Sequence, residues 1–187
     1  DLIIGIVCDG CTTPNGDSIK ESATTQVGSN FISFLLTYEI RKVLSEHRSI
    51  EKPNFFLKLI STLFSQKLEH ILSATGLTGH SKNVFIYNFF MTTIVGVVVY
   101  KNNYIVFNCG DGIVYHNDEL KNLNTYSGEY FANSFLNSNR YSSDKQRDRN
   151  NYFKLSYSGN TDNLDRLLIS SDGFAAKRAL ELSLIHI

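Results

Sequence analysis

The sequence carries no excess of charge of either sign, with 18 Lys+Arg against 18 Asp+Glu in 187 residues. A dedicated nucleic-acid binder shows a clear basic excess, so nucleic acid is not an expected partner. A neutral chain can still hold cations at a small acidic site. No apolar run reaches the ~18 residues that a membrane-spanning helix needs, so no membrane association is expected. The three cysteines, Cys8, Cys11 and Cys109, are an odd number and frame no disulfide scaffold. A reducing, cytoplasmic setting is the simpler expectation. Cys8 and Cys11 form a C-x-x-C pair, but zinc needs a second pair, and a redox pair opens a helix rather than straddling a strand end. These thiols are expected to be structural. Also absent are an internal repeat, a Walker-type Gly-Lys-Ser/Thr cradle, a Gly-x-Ser-x-Gly elbow, and metal-ligand spacing among His47, His70, His80 and His116. There is no basic signal-peptide n-region either. The chain passes from Asp1 directly into apolar residues, and its N-terminus reads as a cut inside a domain.

What is present suits one packed domain. The chain is 42% apolar, with 13 Phe and 10 Tyr. Leu2 to Cys8 has the length and Ile/Val content of a buried strand, and the Gly-, Asn- and Thr-rich stretch from Asp9 to Ser22 reads as a loop. A helix is predicted over Thr24 to Glu46, its apolar stripe running through Val27, Phe31, Leu35, Tyr38 and Lys42 and widened by Phe34 and Val43. A second is predicted over Pro53 to Ala74, with Pro53 in the first turn, Leu57, Ile60, Phe64, Leu68 and Ile71 facing inward, and Gly76 ending it. The pattern then changes. Thr92 to Tyr100 is a β-branched run to be buried on both faces. Strands follow at Tyr104 to Cys109 and Ile113 to His116, and Leu120 to Tyr126 continues the meander. The polar stretch Asn133 to Asn151 reads as a loop, and its Arg140, Lys145, Arg147 and Arg149 are either a solvated surface or a contact to an acidic substrate. Tyr152 to Tyr157 and Leu164 to Ser170 read as strands, and Phe174 to Leu182 as a helix. This order is α+β, a layered sandwich of antiparallel sheets with helices outside.

Three acidic residues share one local setting, an apolar strand running into Asp-Gly: Cys8-Asp9-Gly10, Gly110-Asp111-Gly112 and Ser171-Asp172-Gly173. A carboxylate at a strand end is held by a rigid element and still reaches solvent, and the glycine lets the backbone turn or approach an ion. Three such carboxylates brought together would repel one another. A divalent cation relieves that repulsion, and hard oxygen donors suit Mg²⁺ or Mn²⁺. The plain alternative is that each Asp-Gly is only a turn.

Taken together, these segments resemble the metal-dependent protein phosphatases of the 2C type. Ile4-Gly5-Ile6-Val7-Cys8-Asp9-Gly10 is similar to that family's first Asp-Gly strand. Thr92-Thr93-Ile94-Val95-Gly96 with Asn108-Cys109-Gly110-Asp111-Gly112 resembles its Thr-rich strand and Gly-Asp motif. Leu167-Leu168-Ile169-Ser170-Ser171-Asp172-Gly173 resembles its late Ser-Asp-Gly strand. Cys11-Thr12-Thr13 and Val27-Gly28 look closest to a compact bacterial branch. The resemblance implies a four-layer α-β-β-α sandwich over 1–181, truncated at both ends, with two Mg²⁺ or Mn²⁺ ions and a weaker third position. It implies that Asp9 bridges both metals, that the Gly10 carbonyl and Asp172 bind one each, and that Asp111 serves the further position, Asp9 and Asp172 being the catalytic pair. A metal-activated water would hydrolyse phosphoserine or phosphothreonine in a protein substrate phosphorylated by a Ser/Thr kinase.

Two departures bear on activity. Cys11 stands where many members have a His that protonates the leaving oxygen, although the bacterial branch often has Cys there. The family's upstream phosphate-binding Arg and its last metal-binding Asp lie outside the chain. The alternative function is therefore a catalytically inactive phosphatase-like domain that binds or regulates a partner. The final segment, 182–187, resembles translated adapter sequence and is set apart from the domain, the alternative being a genuine apolar strand.

Overall fold

The computed structural model describes residues 1–10, 20–123, 130–136 and 152–171, with the side chains of 20–25 left aside. Strand β1 (Leu2–Gly10) leads to helices α1 (Lys20–His47), α2 (Pro53–Ala74) and α3 (Gly79–Phe89). Strands β2 (Thr92–Tyr100), β3 (Asn103–Cys109), β4 (Ile113–His116), β5 (Glu119–Asn122), β6 (Lys154–Asn160) and β7 (Leu167–Ser170) follow. They form two antiparallel sheets, one ordered β1-β2-β3-β6 and the other β5-β4-β7. The class is α+β, as expected.

The β-branched run of β2 has a direct physical reason. Ile94 and Val98 face a core shared with Ile32, Leu36 and Ile40 of α1 and Leu57, Ile60 and Phe64 of α2. Val95 and Val97 face the opposite way, into a second core with Val114, Leu123, Leu167 and Ile169 of the smaller sheet and its flank. Successive side chains of a strand alternate faces, so a strand covered on both sides must be apolar throughout. The described layers are thus helices, larger sheet and smaller sheet. The segment expected to form the outer helix over the smaller sheet, 174–182, lies outside the described residues.

Helix α2 matches its expected bounds. Pro53 stands in the first turn, and Gly76 ends the helix at φ +66°, a conformation that costs glycine little. Helix α1 is longer than expected and rotated. Of the expected stripe, Val27, Phe31, Phe34 and Tyr38 are exposed and Leu35 and Val43 are buried, together with Ser29, Ile32, Leu36, Glu39 and Ile40. The turn around Gly28 sets this rotation. A Cβ there would overlap the Phe89 carbonyl, so α1 lies against the end of α3 on its Gly28–Ser29 side and the aromatic stripe faces outward. Helix α3 was not expected. It buries only Ile86 completely, so its periodic signal is weak. Of the polar loop expected over Asn133 to Asn151, the first residues lie in a 3₁₀ turn, Phe131–Phe135, and 137–151 lie outside the described residues. Phe131 meets Phe64 edge-on at 5.3 Å, and Phe64 in turn lies 6.0 Å from Phe153. Strands β5 and β6 run over 119–122 and 154–160 rather than 120–126 and 152–157.

Candidate functional site

The register of the two sheets brings two of the Asp-Gly steps, and the strand end that precedes the third, to one end of the sandwich. Asp9 pairs with Thr93 and Gly10 with Thr92, so the C-terminal end of β1 lies beside the start of β2. Ile94 pairs with Cys109, so β3 also finishes there. The chain then turns through Gly110-Asp111-Gly112 into β4, whose Ile113 pairs with Ser170 at the end of β7. Asp9 and the turn after β3 are separated by the width of two strand spacings, about 10 Å. Ser170 and Ser171 complete the group, while Asp172 itself lies outside the described residues.

Side-chain direction follows from the pleat. Cys8 packs against the helix-side core, whereas a Cβ on Gly5 would contact Val97 and Ile169 on the other side. Asp9 shares the parity of Gly5 and therefore points to the smaller-sheet side, half-buried at the strand end. The two nearby thiols, Cys8 and Cys109, face the helices instead, so the donors on offer at this end are hard oxygens: the carboxylates of Asp9 and Asp111 and the Gly10 carbonyl. That set fits Mg²⁺ or Mn²⁺ and suits zinc poorly. Burial, reinforced by the charge of Cys109, pushes the Cys8 thiol up to about 12 from 9.0, which agrees with a structural thiol. Among the described residues no group of three His, Cys, Asp or Glu side chains stands ready to hold a metal.

The local backbone is fixed by buried side chains that the motif reading passed over. The Asn108 side chain donates to the Gly110 carbonyl at 2.7 Å and accepts from Ser156 Oγ at 3.0 Å, which pins the turn that carries Asp111. Gly110 and Gly112 both have positive φ, at 90° and 152°. A Cβ on Gly112 would overlap Val95 and come within 2.9 Å of the Ser170 carbonyl. The glycine here allows strand β7 and the turn to touch, which is more than turn chemistry asks. On β1, Thr92 Oγ1 donates to the Asp9 carbonyl at 2.7 Å and receives a hydrogen bond from Ser29 Oγ at 3.1 Å. An Asn or Thr buried next to an Asp-Gly step was the available signal, but a sequence gives no sign of which side chains reach back to the main chain.

A separate cleft of about 240 Å³ lies between the end of α1 and the start of α2, lined by Val43, His47, Glu51, Lys52, Phe55 and Leu59. It contains none of the strand-end residues. No helix among the described residues is long and apolar enough to cross a membrane.

No family model matches the sequence, and no curated protein matches it. Among solved structures, a bacterial serine phosphatase bearing an arginine-to-alanine substitution aligns over 92% of this chain at 16% identity, with a TM-score of 0.52. A bacterial serine phosphatase bearing an arginine-to-lysine substitution aligns over the same share at 14% identity, with a TM-score of 0.48. The chain spans 64% of the length of the first of these structures. The α-helical layer and the two antiparallel sheets are thus a fold shared with a bacterial serine phosphatase.

Proposed function

We propose that the protein is a metal-dependent phosphatase of the 2C type, acting on phosphoserine and phosphothreonine in proteins. The observation that carries this reading is the convergence of three apolar strand ends, two of them bearing Asp9 and Asp111 and the third running into Asp172. The fold likeness to a bacterial serine phosphatase supports it. In this reading Asp9, the Gly10 carbonyl and Asp172 hold two Mg²⁺ or Mn²⁺ ions, and Asp111 serves a weaker third position. Bound metal would supply a water acidic enough to act as nucleophile near neutral pH and would offset charge on the phosphoryl oxygens. The chain's part is positional. Strand β1 presents Asp9 from a rigid, nine-residue pairing with β2. The Asn108–Gly110 hydrogen bond holds the turn that bears Asp111. The reading extends to a four-layer sandwich with 174–182 as the outer helix, to a cytoplasmic setting, and to a Ser/Thr kinase as the opposing enzyme.

A second reading, a partner-binding module without turnover, rests on Cys11 in the place of the His that many members of the family carry. Phosphate release from phosphoserine and phosphothreonine peptides, with Mn²⁺ and with chelator, separates the two. Metal-dependent release that disappears in Asp9→Asn supports the enzyme. Mn²⁺ binding without release supports the module. Absence of Mn²⁺ binding overturns both.

A further inference from the structure

Thr92 is almost wholly buried at the start of β2, with Ser29 of α1 buried against it. Its hydroxyl has one proton and two carbonyls in reach, Asp9 at 2.7 Å and Thr93 at 3.0 Å, and the shorter contact is the one across the strands. Ser29 Oγ donates to the same oxygen at 3.1 Å. The resulting chain runs from the helix layer, through a side chain on the helix face of the sheet, to the peptide joining Asp9 to Gly10. The Asp9 carboxylate projects from the other face. A rotation of that peptide would swing the Gly10 carbonyl and tilt Asp9 together, and both are assigned as metal donors.

We infer that Ser29 and Thr92 form a buried hydroxyl relay by which α1 sets the orientation of the Asp9–Gly10 peptide, so that Thr92 is a positioning residue for the metal-binding end of β1. This rests on the metal-dependent reading above. The relay gives each of these two buried hydroxyls a hydrogen-bond partner. A donor to the main chain of a metal-bearing segment acts as outer-shell partners do, holding the ligands in their binding geometry before the ion arrives.

The test uses Thr92→Val, which keeps the shape and removes the hydroxyl, Thr92→Ser, which keeps the hydroxyl, and Val98→Ala, a destabilising change elsewhere on the same face of β2. Two readouts are taken on folded protein: Mn²⁺ affinity by electron paramagnetic resonance, and exchange of the Gly10 amide in metal-free protein. Thr92→Val should weaken Mn²⁺ binding by about 10- to 100-fold. It should also speed Gly10 exchange about tenfold, beyond any general loosening. Thr92→Ser should restore both, and Val98→Ala should change neither selectively. Unchanged Gly10 exchange in Thr92→Val overturns the inference whether or not metal binds. Wild-type protein that takes up no Mn²⁺ refutes the metal reading instead, while the exchange measurement still decides whether the relay holds the peptide.

Discussion

Replacing Gly112 by Ala should be among the most damaging small substitutions in the described chain. Two separable terms contribute. The residue sits at φ +152°, where an L side chain costs about 1–3 kcal/mol of backbone strain. The added methyl would also overlap Val95 and stand 2.9 Å from the Ser170 carbonyl. Relief requires parting β7 from the turn or displacing β2, an overpacking cost of about 1–3 kcal/mol. Their sum, about 2–6 kcal/mol, is a large share of the roughly 5–15 kcal/mol that holds a domain together. At about 2–4 °C per kcal/mol for a chain of this length, Tm should fall by at least about 4 °C. Gly76→Ala is the control: its φ is +66°, but nothing lies within 4 Å of the new Cβ, so only backbone strain is incurred. Thermal unfolding followed by circular dichroism measures both. If Gly112→Ala melts no lower than Gly76→Ala, the argument that the turn and β7 are in enforced contact is wrong.

Other consequences are simpler to test. Cys8 is neutral when folded up to about pH 12 and ionises near 9.0 when unfolded, so its contribution is complete below pH 9 and is lost as pH rises from 9 towards 12. Urea unfolding should therefore weaken by about 1.4 kcal/mol more between pH 8 and pH 10 in wild type than in Cys8→Ala, and equal slopes would refute this. The Ser61 hydroxyl on α2 is fully buried with no hydrogen-bond partner among the described residues, so Ser61→Ala should raise stability by about 1 kcal/mol, read from the urea midpoint. Strand β1 pairs only with β2 among the described residues, and its run from Leu2 to Cys8 bears no charge or proline to guard the outer edge. Ile3, 61% exposed, should become a gatekeeper as Ile3→Lys, with less self-association by light scattering and a stability change within about 0.5 kcal/mol.

Strand β2 of the larger sheet could be read because burial on both faces writes itself into the sequence: it begins and ends where the apolar run does, and β4 of the smaller sheet also keeps its expected bounds. Helix α2 was equally legible from its three-and-four spacing and its Pro53 and Gly76 boundaries. Helix α1 was not, and the reason is instructive. Its sequence holds two apolar stripes, one through Phe31, Phe34 and Tyr38 and one through Ile32, Leu36 and Ile40. Which of them turns inward is decided at Gly28, by a main-chain contact with Phe89 that is distant in sequence. Tertiary packing outweighed the bulk of the aromatic stripe. For the site, the Asp-Gly steps were visible, but the hydroxyls and amide that fix them were not. Ser29, Thr92 and Asn108 look like ordinary polar residues until register places each beside the carbonyl it holds.

The same register makes the candidate site a property of both sheets at once. Asp9 and the Asp111 turn belong to the larger sheet, whereas the strand leading to Asp172 belongs to the smaller one. The two come close at Gly112, where an added Cβ would meet both Val95 and the Ser170 carbonyl. The spacing of the acidic strand ends is therefore set by the apolar layer between the sheets, chiefly Val95, Val106, Val114 and Ile169. In the metal-dependent reading proposed above, carboxylates at these strand ends would repel one another and so oppose that packing, and a bound divalent cation would offset the repulsion. Metal and inter-sheet core should accordingly stabilise each other by linkage, because an ion that binds only the assembled end adds its binding free energy to folding. In that reading a truncation in the core, far from any carboxylate, would be felt as weaker cation binding.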